Sequence, residues 1–502
     1  MKHAGLVSRL LCVALLGPAA ANGEVATAHP DPLVERVMAA FDVPGMSLSI
    51  VHGDEIIHAR GYGVREAGGR RPVNRDTVFQ IGSNGKSFTA AAVATLVSRG
   101  EMNWDDPAVD HLPQFRLASG ELTMQVTLRD LLSMRTGLGA QSGLALWYGT
   151  GLSRDEVLHR MRYLQPEADL RTTFAYSNLS ILAAGMAVAA RANMTWDTFI
   201  RQNLFEPLDM RSSDTLLAET LARRNRAEPH ERRNDGNVPI PYRSADNMAP
   251  AGSISSTARD MANYLRFQLN EGRFGGTTRV APEVFREMHE PQTIISRDSL
   301  WGMLFPDSRF ITYGLGWFVV DISGHRAVLH GGSIDGMNAL MLLVPEADLG
   351  LVALSNIDLN HAHTLAFARE YLDLALSDSG VDWIASSADM LAVINAGAAR
   401  VREAVAVARK PGSRPSLPAS AYAGDYASSL FGRATITVAG DTLRLSRGPG
   451  LEGELTHWYG DSFRPEWADT MPASGYVRFQ LSGEEVLGFS EGALGLFRRL
   501  DE

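Results

Sequence analysis

Lysine is nearly missing from this chain. Of its 502 residues only Lys2, Lys86 and Lys410 are lysine, against 44 arginines. Positive charge is therefore supplied almost wholly by a side chain that in practice cannot give up its proton, whereas a desolvated ammonium can. A lysine at position 86 marks a place where arginine will not serve. Cysteine is scarcer still, with Cys12 alone, so a disulfide framework is excluded and stability must come from core burial. No apolar stretch reaches the roughly 18 residues of a membrane helix, so no membrane span is expected. With 47 basic and 57 acidic residues, a formal charge of −10, nonspecific binding to nucleic acid is disfavoured. No internal repeat and no low-complexity tract is found.

What is present is an ordinary globular balance, 45% hydrophobic and 21% charged, with room for two or three domains. The opening "MKHAGLVSRLLCVALLGPAAANGEVATA" reads as a secretory signal over 1–21: Lys2 and Arg9, a short apolar run, then the small residues Ala19-Ala20-Ala21. Cleavage is expected after Ala21, with Ala28 as the alternative. Cys12 is hydrophobic filler there, since Leu11 before it does not suit a lipoprotein signal. Loss of Lys2 and Arg9 takes the charge from −10 to −12 and leaves a mature chain without cysteine. A periplasmic or secreted, soluble protein is the expectation.

Along the mature chain, "MSLSIVHGDEIIHARGY" (46–62) alternates around Gly53-Asp54 and predicts a hairpin. Helical patterns fill 100–310, among them "SSTARDMANYLRFQLNEG", with Ser255-Ser256 as expected caps and Gly272 as the stop. Residues 226–250 predict a long exposed loop. Strand signals return at 313–356 with short connections, an antiparallel meander. Strands at both ends with helices between predict an α+β domain over 29–380: an antiparallel sheet flanked by helices, with an all-helical subdomain, its sheet completed by the N-terminal hairpin. An alanine-rich helix and the linker "PGSRPSLP" occupy 381–418, and short alternating runs over 419–502 predict a small β-barrel or sandwich.

The chemistry gathers in three stretches. In "QIGSNGKSFTAAAVATLV" (80–97), Ser83 and Lys86 stand three residues apart at the mouth of an apolar helix, hence on one face. Burial disfavours the charged amine, a neutral amine can take the serine proton, and the free N–H groups of the helix start favour developing negative charge. Taken alone, the four residues equally suit a capping serine followed by a snorkelling lysine. In "RTTFAYSNLSILAAG", Tyr176 and Asn178 point the same way in an extended turn; a phenol can pass a proton to a leaving group and an amide can hold a substrate carbonyl, although Asn178 also suits a helix N-cap. In "AVLHGGSIDG", His330-Gly331-Gly332-Ser333 ends a strand, and its glycines admit close approach of another backbone. A lone histidine there also suits a satisfied core position.

Together, these stretches resemble the β-lactamase-like serine hydrolases: class C β-lactamases, D-Ala-D-Ala carboxypeptidases, D-aminopeptidases and related esterases. Tyr-Ser-Asn and His-Gly-Gly in place of Ser-Asp-Asn and Lys-Thr-Gly resemble the carboxypeptidase and esterase branches, and the likeness covers about residues 30–360. It implies Ser83 as the acylated nucleophile, Lys86 and Tyr176 as the proton-transfer pair, and Asn178 as the holder of the substrate amide. The N–H groups of Ser83 and Ser333, beside Gly332, would form the oxyanion hole. His330, at the place of the family's lysine, would donate to a substrate carboxylate or to Tyr176, a departure that puts efficient β-lactam turnover in doubt. The C-terminal unit resembles the lipocalin-like module of some secreted members.

The expected function is an acyl-enzyme hydrolase without cofactor or metal, acting on small molecules or short peptides. Peptidase or amidase action, D-residue peptides included, comes first, then carboxylesterase, then β-lactamase; a noncatalytic penicillin-binding sensor is the reading of another class. Selectivity is expected from Trp147-Tyr148, the 226–250 loop and the C-terminal unit. Two decoys fall away. "GFSEG" (488–492) has no helix and no histidine after it, as a lipase would need, and His361-Ala362-His363 lacks a third ligand at a recognisable spacing, so helix-terminal or surface histidines are expected.

Overall fold

A computed structural model describes residues 29–233, 236–377, 379–407, 412–440, 442–448, 451–467, 475–491 and 495–500. The expected secretory signal over 1–21, with Cys12 and Lys2, and also Lys410 lie outside the described residues.

Helix α1 (Pro30–Phe41) starts with proline at its first turn, where the missing N–H costs nothing, and ends on Asp42 in the left-handed region. The predicted hairpin follows as β1 (Gly45–His52) and β2 (Glu55–Gly63), turning at Gly53 with φ +57°. The remaining strands of the main sheet are β3 (Thr293–Ile294), β4 (Ile311–Tyr313), β5 (Phe318–Ile322), β6 (His325–Ile334), β7 (Met337–Val344) and β8 (Leu349–Ser355). They form one eight-stranded antiparallel sheet in the order β2-β1-β8-β7-β6-β5-β4-β3. The N-terminal hairpin therefore completes the sheet through β1 and β8, Met46 opposite Ser355 and His52 opposite Leu349. Strands β7 and β8 are buried along their whole length, which explains their unbroken apolar sequences: both faces are covered.

Helix α2 (Gly85–Ser98) is buried through its first twelve residues, alanines included, and so occupies the interior rather than a surface. Around it pack α3 (Asn178–Ala192) and the turn Ala249–Gly252, while α4 (Ala258–Leu269) lies on β1 and β8, to which Ser49 hydrogen-bonds through the Ala258 carbonyl at 2.8 Å. Helix α5 (Ala362–Leu372) packs against α1 and the sheet, and α6 (Trp383–Val407) against α5. The foot of α6 is tied down by Glu370, which accepts from the Trp383 N–H (2.8 Å) and from Arg36 (3.1 Å).

The C-terminal unit is a closed barrel of eight strands within Gly424–Arg499, the first strand pairing with the last through Tyr426 and Arg499. Closure leaves no edge. Inside it Arg447 and Glu491, 2% and 1% exposed, pair at 2.6 Å, with the guanidinium over the rings of Phe431 and Phe497. Gly488–Glu491 of "GFSEG" belongs to a barrel strand.

Two local expectations need correction. Ser255 and Ser256 do not cap α4; they pair with Phe79 and Gln80 as a short ladder, and the cap is Thr257, whose hydroxyl accepts from the Asp260 N–H. Of three adjacent hydroxyl residues, Thr257 is the one followed at the third helical position by an acid. The 226–250 segment is not an open loop throughout. His230–Arg233 pairs with Gly236–Pro239, and Met248, Ala249 and Pro250 are buried. The hairpin escapes notice because its first strand, His-Glu-Arg-Arg, has no apolar alternation.

Candidate active site

Ser83 sits two residues before α2, in a 3-10 turn Gly82–Asn84. Lys86 is the second residue of α2, three after Ser83, so the two side chains meet on one side where the turn runs into the helix. Lys86 Nζ lies 2.7 Å from Ser83 Oγ and donates to the Ala251 carbonyl at 3.0 Å. The amine is fully buried and no carboxylate among the described residues pairs with it. Burial alone therefore holds its pKa well below the usual lysine value. Ser83 itself is only half-buried.

Tyr176 donates its hydroxyl to Ser83 Oγ at 2.9 Å, and its ring stacks on Trp301 at 4.8 Å. Burial raises its pKa, so it stays a phenol. Asn178, two residues on, shares with Ser83 the wall of a cavity of about 250 Å³ that Trp147 and Tyr148 also line. Its Oδ1 is buried without a protein partner, and a buried unpaired carbonyl is uncommon enough to require a reason. The cap of α3 is Ser177, not Asn178, with its hydroxyl accepting from the Ser180 N–H. Asn178 is thus free of the structural duty its position suggested.

Strand β6 closes the third side. A Cβ on Gly332 would lie 1.9 Å from the Ile81 carbonyl oxygen and 2.8 Å from the Ser83 nitrogen, and a Cβ on Gly82, φ +50°, would lie 2.8 Å from both N and O of Ser333. Within an antiparallel strand a residue's N–H and C=O point to the same side, so this edge of Ser333 faces the nucleophile turn. Two glycines thereby bring the Ser83 and Ser333 amides to one spot.

His330 borders a second cavity beside Ser83 and Tyr176, but its nitrogens are not available for the donation expected of it. Its Nδ1–H donates to the Gly331 carbonyl at 2.6 Å and its Nε2 accepts from the Tyr313 hydroxyl at 3.0 Å. Burial lowers its pKa to about 3, so it is neutral at physiological pH and has no nitrogen left for Tyr176 or for a substrate carboxylate. The histidine pair at 361 and 363 is not on the surface either. His361 is the N-cap residue of α5, with Asn338 Nδ2 donating to its Nδ1 at 2.9 Å and its Nε2 3.3 Å from Ser333 Oγ. His363 is wholly buried, and burial drops its pKa to about 3. Among the described residues no three His, Cys, Asp or Glu side chains gather as a metal site.

Several residues were not expected. Asp358 accepts from Ser333 Oγ (3.0 Å) and Asn338 Nδ2 (3.2 Å), and burial raises its pKa. Asp335, in the β6–β7 turn, accepts from Tyr148 (2.6 Å) and Arg243 (2.9 Å). Both carboxylates line the cavity shared with Ser83. Asp335 was legible as part of "SIDG"; Asp358 carries no local signal.

The arrangement brings a serine hydroxyl, a buried amine, a phenol and the backbone of Ser333 together. A family model described as Beta-lactamase matches residues 31–376, and one described as Domain of unknown function (DUF3471) matches residues 408–490. The chain is 26% identical to Unguisins hydrolase ungD' of Aspergillus campestris, over 80% of this chain and 76% of that one. Among solved structures it is similar to the octameric penicillin-binding protein homologue from Pyrococcus abyssi, with a TM-score of 0.61, 21% identity, and coverage of 92% and 95%. It is also similar to SurE solved with D-Leu, with a TM-score of 0.56, 19% identity, and coverage of 94% and 98%.

Proposed function

The chain belongs to the beta-lactamase family of serine hydrolases, and on that premise we propose that it cleaves amide bonds of small peptides, D-residue peptides included, through an acyl-enzyme on Ser83. The observation that carries this reading is the 2.7 Å approach of a buried, unpaired Lys86 amine to Ser83 Oγ. Ser83 Oγ attacks the carbonyl carbon while its proton passes to Lys86 Nζ. The oxygen that gains charge turns to the amides of Ser83 and Ser333, each such donor being worth about 3 to 4 kcal/mol. The C–N bond then breaks, and the departing amine takes a proton relayed from Lys86 through Tyr176. Water enters by the same base, splits the ester to Ser83, and restores the serine. Asn178 offers its amide to the substrate beside the scissile bond.

Amides rank before esters because an amine leaves only when protonated, and Tyr176 stands where that proton is needed. The relative named as a hydrolase of unguisins and the neighbour solved with D-Leu support a peptide substrate. The neutral His330 supplies no cation for a substrate carboxylate, so β-lactams should be poor substrates. The signal-like start supports a periplasmic or secreted location.

Intact mass after incubation with a fluorophosphonate, penicillin, p-nitrophenyl butyrate and D-Ala p-nitroanilide tests the reading. One fluorophosphonate adduct on the wild type, none on Ser83→Ala, and release of p-nitroaniline are expected. A persistent penicillin adduct without turnover would replace the hydrolase by a sensor, and identical masses for both proteins would remove Ser83. Tyr176→Phe is expected to slow anilide cleavage by roughly 10²- to 10³-fold and p-nitrophenyl butyrate, whose leaving group needs no proton, by much less.

A further inference from the structure

We propose that the substrate bears an extended aliphatic chain, and that this chain lies in an apolar trough running from Ser83 under Trp301 to α6. The inference rests on Ser83 being the nucleophile. Ser83 and Tyr176 open one end of a cavity of about 190 Å³ walled by Trp301, Phe318 and Leu340. A second cavity of about 180 Å³ is walled by Met303, Trp383, Met390 and Ile394. Both are bounded by Leu304, His361 and Leu365, so the two cavities adjoin across these side chains.

The chemistry of the walls selects the occupant. His330 and His361 border the inner cavity, but the nitrogens of both already have protein partners. Arg369 borders the outer one with its guanidinium over the rings of Phe305 (5.9 Å) and Trp383 (4.8 Å) and donating to the Leu304 carbonyl (3.1 Å). Arg369 Nε is buried without a hydrogen-bond partner and Asn360, Ser386 and Ser387 also border the outer cavity, but no carboxylate lines either cavity and most of the wall offers a guest only apolar surface. The outer wall stays wet without one: Met303, Met390 and Ile394 are 61%, 58% and 50% exposed. Such a grouped apolar exposure marks a binding surface. Trp383, Met390 and Ile394 all belong to α6, which falls between the two matched segments 31–376 and 408–490. The trough is thus built by pressing a helix from between the two matched units against the hydrolase fold, its foot fastened through Glu370.

The test is a series of p-nitrophenyl esters, acetate, butyrate, octanoate and dodecanoate. Each buried methylene raises kcat/KM by roughly fourfold when fully withdrawn from water, so at least a tenfold rise from butyrate to octanoate is expected. Met390→Asp with Ile394→Asp, both at exposed positions, should lower the dodecanoate-to-acetate ratio about tenfold. Calorimetric titration of Ser83→Ala with dodecanoate should show saturable binding that the double substitution weakens. A flat or falling chain-length profile while the fluorophosphonate still marks Ser83 overturns the trough alone. Absence of the fluorophosphonate adduct overturns Ser83, and calorimetry then decides the trough by itself: no dodecanoate binding, or binding indifferent to the α6 substitutions, ends it.

Discussion

Lys86→Arg lowers kcat on D-Ala p-nitroanilide by roughly 10³- to 10⁴-fold, the largest loss expected of any charge-conserving change in the chain. A guanidinium does not give up its proton, so the base is lost although the charge is kept. Lys86→Met and Ser83→Ala should fall to the same floor, and the double variant no lower, because residues that act as one unit do not add. The pH profile separates this from a packing defect. The wild type is active only with Lys86 neutral, so kcat/KM rises with pH through the lowered pKa of the buried amine, and the residual rate of Lys86→Met lacks that limb. Stability moves in the same sense. Between the lowered folded-state pKa and the usual lysine value the unfolded chain binds the extra proton, so the wild type gains stability as pH rises across that window. Lys86→Met removes the titration, and its Tm should exceed that of the wild type most at low pH. A Tm of Lys86→Met below the wild type at every pH would contradict a desolvated, uncompensated amine.

Gly332→Ala is the second large effect. Its Cβ would fall 1.9 Å from the Ile81 carbonyl oxygen and 2.8 Å from the Ser83 nitrogen, both backbone atoms that cannot swing aside. Strand β6 must back away from the nucleophile turn, at a cost of about 1 to 3 kcal/mol. Displacing the Ser333 amide by even a fraction of the gap should cost about 10²-fold in kcat. Gly397→Ala on α6, where nothing lies within 4 Å of the added Cβ, is the control: it should stabilise by up to about 1 kcal/mol. Comparable losses for both would mean that the tightness at position 332 plays no part.

What was legible in the amino-acid order was what depends on short spacings or on composition. Ser83 and Lys86 are neighbours by helical period, Tyr176 and Asn178 by strand period, and the scarcity of lysine pointed to Lys86, which lies against Ser83. The barrel announced itself through alternation, and so did the hairpin that completes the sheet. What failed depends on register. Tyr313, which occupies His330, comes from β4, and its approach is set by how β4, β5 and β6 pair, a fact no local pattern encodes. His361 read rightly as a helix-end residue, but nothing in its own segment reveals that Gly331 leaves room for its ring, where a Cβ would come within 2.7 Å. Asp358 was invisible for the same reason, since its partners Ser333 and Asn338 reach it across two strands.

The pairing of β1 with β8 has a bearing on when the molecule becomes competent. Met46 waits for Ser355, and the strand that carries Gly332 and Ser333 is made long after the turn that carries Ser83. Ladders between such distant stretches close slowly. During synthesis the serine and its amine therefore exist for a time on a chain whose amide cradle has not arrived and whose lysine, still in water, keeps its proton. If Ser83 reacts as proposed, a chain released before β6 has docked should not take up a fluorophosphonate, whereas the completed sheet should.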